Sequence, residues 1–199
     1  PYQCQSVYAG NPLLISLDKL VAKGWLAADP NPPFEPEDAV VNYRYARLQQ
    51  AWQGFQHAAT AEDQAEFAAF IQAQKSWLED FALFRALKKQ FNGAMWTQWQ
   101  PAYRDRDKQT LVKARKDLDA DIQQYYFEQF VFFSQWQQLK RYAHQKGVFL
   151  FGDVPIFVAG DSVDVWAQRD IFLLDEIGNP TVVAGVPPDY FSKTGQLWG

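Results

Sequence analysis

Three carboxylates fall close together in the stretch GDVPIFVAGDSVDVW: Asp153, Asp161 and Asp164. Clustered carboxylates invite a hard divalent cation, Ca²⁺ or Mg²⁺. Their spacing does not fit an EF-hand loop, which alternates its acidic ligands around a central glycine. Asp161-Ser162 reads instead as the cap of a short helix through Val163 to Trp166. Asp153 differs, because it follows the apolar run Val148-Phe149-Leu150-Phe151. A carboxylate at the C-terminal end of a barrel strand points toward the chemistry. The other reactive-looking stretch is GVPPDYFSKTGQLWG, residues Gly185 to Gly199. Its prolines and glycines make a stiff loop with few conformers. Such a loop can hold Tyr190, Phe191 and Trp198 outward at low entropic cost. The same rings could fold back onto a core, and composition leaves both uses open. His57 and His144 lie in helical stretches with no acidic or cysteine partner at ligand spacing, which points to packing or surface roles. No G-x-S-x-G, P-loop or G-x-G-x-x-G occurs, so hydrolase-elbow and nucleotide readings lose their usual support.

The elements that must carry these residues are mostly helical. Residues 1–36 are turn-rich, with a brief helix over Ser16 to Val21 stopped by Gly24. Pro30, Pro32, Pro33 and Pro36 exclude helix interior there. Asp38 to about His57 reads as a helix. Thr60 is an N-cap candidate for the next, whose apolar positions Phe67, Phe70, Ile71, Trp77, Leu78, Phe81, Phe84 and Leu87 follow a 3.6-residue period. Asn92-Gly93 is the matching stop. A tryptophan-rich piece with Trp96, Trp99 and Tyr103 follows around Pro101.

Arg106 to Gln145 is again helical, with a buried stripe expected at Leu111, Leu118, Ile122, Tyr125, Phe133, Trp136 and Leu139. Unbroken, it would run roughly 60 Å, so a kink or break is expected. After Gly147 the period changes, and 148–153 reads as a buried parallel strand. Residues 171–174 and 181–183 flank a turn with Gly178-Asn179, a hairpin signal.

Composition narrows the function classes. The chain has 199 residues, 48% of them apolar, which describes a packed globular protein. Nineteen basic residues against 23 acidic give a net charge of −4, which argues against nucleic acid and anionic membrane surfaces as partners. No stretch reads as transmembrane or as a signal peptide. Cys4 is the single cysteine, so nothing indicates an oxidising compartment. The first residue is Pro1 and the one methionine is Met95, so the numbering is expected to begin inside a longer protein. Sixteen Phe, nine Tyr and eight Trp make aromatics 17% of the chain. Most of them belong to a core by their energetics, while a few on a cleft would stack on flat apolar ligand faces such as sugar rings.

GDVPIFVAGDSVDVW, then FLLDEIGNPTVVAGVPPDYFSKTGQLWG, resembles the amylomaltases of glycoside hydrolase family 77, the 4-α-glucanotransferases. The opening PYQCQSVYAGNPLLISL also looks like that family's N-terminal segment, although Cys4 and Gln5 stand where relatives are often Ser- and Phe-rich. The central helices resemble it only in pattern, as in WLEDFALFRALK.

The resemblance implies an α/β fold: part of a (β/α)8 TIM barrel, dominated here by a helical insertion. The expected division is residues 1–36 as a barrel loop segment, 37–146 as the insertion and a barrel helix, and 147–199 as barrel strand, hairpin and donor-site loop. It implies retaining transfer of α-1,4-glucan segments between maltodextrins, without cofactor or metal, in the cytoplasm. Site residues carried over are Tyr2, under the ring whose bond breaks, and Asp153, on that ring's hydroxyls. Asp189, Tyr190, Phe191, Ser192, Gln196 and Trp198 match the loop over the donor sugars. The family's catalytic carboxylates follow the W-G motif, so this chain is expected to lack them, to be inactive alone, and to self-associate through open strand edges. The alternative is a non-catalytic glucan-binding or interaction domain.

Overall fold

A computed structural model describes residues 4–152 and 157–197. The chain divides into two compact units. Unit 1 holds the described residues of Pro1–Ala9, Glu79–Ile122 and Gly152–Gly199; unit 2 holds Gly10–Leu78 and Gln123–Phe151. Among the described residues eight α-helices run in order: α1 (Leu17–Ala22), α2 (Glu37–Ala58), α3 (Ala61–Ala73), α4 (Lys75–Gln90), α5 (Pro101–Arg104), α6 (Lys108–Asp117), α7 (Asp119–Gln145) and α8 (Val163–Ala167). Among the described residues the strands are β1 (Gly185–Val186) and β2 (Gln196–Leu197), an antiparallel pair.

In unit 2, Leu48, Ala51 and Phe55 of α2 share one face by their spacing of three and four. They meet Phe127, Phe130 and Val131 of α7, with Ile15, Leu20, Trp25 and Leu26 completing the core. Ring pairs supply much of it: Trp25 meets Phe55 edge-on with centroids 4.9 Å apart. Two glutamines of α7 fasten the irregular chain before α1. Gln129 accepts from Gly10 N at 2.8 Å and donates to Gly10 O at 3.0 Å. Gln135 does the same for Ser16, at 2.8 and 3.1 Å. A primary amide carries one donor and one acceptor side by side, so each stands in for a strand partner. Thr60 caps α3 through a reciprocal box with Asp63, as its sequence suggests. Asp63 also receives Lys23 Nζ at 2.7 Å. Burial pushes the Asp63 carboxyl up, but the bonds from Lys23 and Thr60 outweigh it and hold it below the usual range.

Gly54 lets α2 lie against the backbone of Trp25. A Cβ there would stand 1.9 Å from the Trp25 carbonyl oxygen. Alanine in a helix interior is favoured over glycine by about 1 kcal/mol. Overpacking costs about 1–3 kcal/mol, and a backbone oxygen cannot rotate away. Gly54→Ala is therefore expected to destabilise unit 2 by about 1–2 kcal/mol, read from the urea midpoint; a stabilised variant would refute the contact.

Unit 1 centres on α4, where Phe81, Ala82, Leu83, Phe84, Ala86 and Leu87 are all buried. A helix apolar nearly all round must be enclosed. Trp96, Trp99, Leu111, Ala114, Val163, Val165 and Trp166 belong to the same buried set.

Four expectations are corrected. The period from Phe67 to Leu87 hides a break at Gln74, which stands at φ −101°, ψ 8° and separates α3 from α4. Gln74 Oε1 accepts from Trp77 Nε1 at 2.8 Å, a local bond that holds the joint. Trp136 and Leu139 of α7 are exposed, because the unit 2 core ends at Val131. The described residues 148–152 form no strand, and Val148, Phe149, Leu150 and Phe151 are exposed, Phe149 by 80%. A strand exists through its ladder, and no described strand lies beside this run. Residues 171–174 begin in a 3-10 turn, Arg169–Ile171, and the hairpin reduces to one bridge, Leu174 to Pro180. The break expected within 106–145 does occur, at Leu118 between α6 and α7.

Candidate functional site

The loop GVPPDYFSKTGQL closes as a hairpin. Gly185 lies opposite Leu197 and Val186 opposite Gln196. Between the strands, Asp189 Oδ1 accepts from Phe191 N at 2.9 Å and Ser192 N at 2.7 Å. Asp189 N donates to Ser192 O at 2.9 Å, and Ser192 Oγ donates to Gly195 O at 2.7 Å. An aspartate after two prolines builds such a turn because its short carboxylate reaches the next backbone N–H groups. Gly195 has φ +74°, and a Cβ there would stand 2.4 Å from the Val186 oxygen, so glycine is needed.

Locking the backbone sends two rings outward. Tyr190 is 96% exposed and Phe191 89%, with centroids 5.5 Å apart and planes at 87°. The choice that composition left open falls on the outward arrangement. Asp189 spends Oδ1 and Ser192 its hydroxyl on the loop itself, while Gln196 lies exposed on β2. Tyr2, Asp153 and Trp198 lie outside the described residues.

Upstream, a chain of polar contacts fastens residues 160–180. Lys88 Nζ meets Asp161 Oδ2 at 2.5 Å and also donates to Gly93 O and Ala94 O, at 2.8 and 3.0 Å. Asp161 Oδ1 accepts from Trp96 N at 3.2 Å, and Trp96 Nε1 donates to Gly160 O at 2.7 Å. Ser162 caps α8. Asp164 Oδ2 accepts from Val7 N at 3.0 Å, and Val163 N donates to Gln5 O at 2.9 Å, fixing the segment that follows Tyr2 in sequence. Burial pushes the Asp164 carboxyl above its ordinary value against the bond from Val7. The two described aspartates of the cluster, Asp161 and Asp164, thus have structural partners. No group of three or more potential metal ligands occurs among the described residues.

Arg169 reaches Asp105 at 2.9 Å and Glu176 O at 2.8 Å, and lies 5.2 Å above the Trp96 ring. Hydrogen bonds from Arg104 first, then Arg169, lower the Asp105 carboxyl to about 2 despite some burial. Gly178, at φ +96°, sits so close to Trp96 that a Cβ would approach its ring to 2.0 Å. Sequence reading missed Lys88 and Arg169. Lys88 sits one residue after Leu87 on a helix buried nearly all round, and a cation there is the one visible signal.

The family pattern described as 4-alpha-glucanotransferase, glycoside hydrolase family 77, matches residues 1–199. The chain belongs to this family. It is 45% identical over 202 residues to the 4-alpha-glucanotransferase of Thermus thermophilus, covering all of this chain and 40% of that protein. It is 38% identical over 207 residues to the chloroplastic/amyloplastic 4-alpha-glucanotransferase DPE1 of Arabidopsis thaliana, covering 36% of it. An amylomaltase from Streptococcus agalactiae, solved in complex with acarbose, matches with TM-score 0.90 and 34% identity over the whole chain and 41% of its own. The chain thus spans about 40% of the length of the 4-alpha-glucanotransferases it matches. The mostly helical architecture is that of the matched part of the amylomaltase. Among the described residues no helix is long and apolar enough to cross a membrane.

Proposed function

We propose that this chain supplies the donor-sugar loop of a 4-α-glucanotransferase acting on maltodextrins derived from starch or glycogen. The observation that carries the reading is the hairpin 185–197, whose backbone is locked by Asp189 and Ser192 while Tyr190 and Phe191 project. Projecting rings cover the C–H faces of a sugar, and nearby polar groups satisfy its hydroxyls. A stiff loop loses little entropy on binding. Laid over a bound donor, it also excludes water, which favours a sugar acceptor over hydrolysis. Tyr2, Asp153, Gln196 and Trp198 complete the donor contacts in this reading.

The amylomaltase relative binds acarbose, which supports an oligosaccharide as ligand. The reaction is retaining: one carboxylate attacks C1 and the sugar leaves with its 4-hydroxyl protonated by a second carboxyl. The acceptor's 4-hydroxyl then displaces the enzyme carboxylate, giving its proton to the second carboxyl, now acting as base, with the two carboxyls about 5–5.5 Å apart. No residue of this chain is assigned either role. The helical segment is an insertion in a (β/α)8 barrel, and the enzyme works in the cytoplasm.

In the enzyme that carries this segment, Tyr190→Ala and Phe191→Ala are each expected to lower kcat/KM for maltotriose disproportionation about tenfold, the scale of one lost aromatic contact. Glucose release and growth of longer maltodextrins report it. Unchanged kinetics on both short and long donors would overturn the assignment of the loop.

A further inference from the structure

We propose that a groove in unit 2, of about 880 Å³ and walled by α1, α3 and α7, is a further binding site for a neutral, linear α-1,4-glucan. The identity of the ligand rests on the glucan reading above; the groove does not. Its volume falls within the range of small-molecule sites. Half-buried Phe70 and Phe133 line it, with ring centroids 5.9 Å apart. Around these rings stand Glu66, Ser134, Gln137 and Arg141, a set that both donates and accepts as sugar hydroxyls do.

The charges favour a neutral ligand. The lining carries Glu66 against Arg141, Lys23 is paired with Asp63 at 2.7 Å, and Lys19 keeps its single charge while donating to the neutral Gln138 at 3.1 Å. No concentrated positive field remains for an anion. The walls are set in advance. Gln135 clasps Ser16 and Gln138 holds Lys19, tying α1 to α7, while Lys23 ties α1 to the start of α3. A preformed groove binds without an ordering cost.

Affinity electrophoresis of the 199-residue chain through gels containing soluble amylose tests this. Four proteins are compared: wild type, Gln137→Leu/Arg141→Met, Phe70→Leu, and Tyr190→Ala/Phe191→Ala. The first two variants are expected to weaken retardation at least fivefold, with the far-UV circular dichroism melt preserved. The rim substitutions lie at exposed positions, so that variant remains informative if Phe70→Leu perturbs packing. The loop variant is expected to keep most of the retardation, and about 0.5 M NaCl to change it little, since screening acts on charge. Absence of retardation in wild type, wild-type behaviour of the rim variant, or loss of retardation in salt would each overturn the groove. Loss confined to the loop variant would overturn it while leaving the donor-loop reading standing, and maltotriose turnover by the enzyme carrying this segment judges that reading separately.

Discussion

Replacing Lys88 by methionine is expected to destabilise unit 1 by about 3 kcal/mol, out of proportion to the loss of one cation. Lys88 Nζ binds Asp161 and the carbonyls of Gly93 and Ala94, and its side chain is 10% exposed. Methionine keeps the length of the stem and removes all three donors. Asp161 would then hold its charge with only the Trp96 N–H at 3.2 Å among these bonds. Breaking a buried pair from one side costs about 3–5 kcal/mol, and the lower end applies because the Asp161 side chain is 27% exposed. Lys89→Met is the control. Its pair with Asp121 is also within hydrogen-bond distance, 2.7 Å, but its own side chain is 58% exposed. Surface pairs contribute about 0–1 kcal/mol. Urea unfolding of both variants, followed by tryptophan fluorescence, decides the matter. Equal losses would show that the Lys88 contacts do not hold the 160–167 segment.

That contrast marks what local sequence can and cannot carry. The Thr60 cap, the Asn92-Gly93 stop and the Asp175–Asn179 turn were legible because each is made by residues within a few positions of one another. Asp175 builds its turn from Ile177 N and Asn179 N, so the motif contains its own partners. The same is true of the 185–197 loop, where Asp189 and Ser192 define the backbone and leave only the direction of the rings undecided.

Lys88 with Asp161, Gln129 with Gly10, and Arg169 with Asp105 span 73, 119 and 64 positions. No periodicity announces such pairs. The break at Gln74 escaped for another reason: the apolar period runs through it without glycine or proline, so a joint made by one side-chain bond leaves no compositional mark. Val148 to Phe151 shows the reverse case. Its composition is that of a buried strand, and burial depends on neighbours that the run itself does not encode.

Trp166 closes GDVPIFVAGDSVDVW, one of the two motifs that carry the family resemblance, and its removal is expected to have the largest effect of any single ring in unit 1. It is wholly buried. Its ring meets Phe84 at 5.8 Å and Trp99 at 5.7 Å, Arg106 stacks on it at 4.2 Å, and its Nε1 donates to the Tyr103 carbonyl at 3.0 Å. Trp166→Ala removes all of these at once and leaves a cavity between α4 and α8. A loss of about 4 kcal/mol follows from truncation of a buried aromatic. Trp166→Phe keeps a ring in place but removes the indole donor from the Tyr103 carbonyl, which keeps only the Arg106 N–H at 3.3 Å among these bonds, a loss of about 1 kcal/mol. The order alanine worse than phenylalanine worse than wild type, measured by urea unfolding, therefore separates packing from hydrogen bonding. A ligand-binding tryptophan would behave differently: both variants would retain wild-type stability and lose only glucan affinity. The geometry assigns this aromatic to holding the scaffold, in contrast to Tyr190 and Phe191, proposed above to face the sugar, whose rings have no such enclosure.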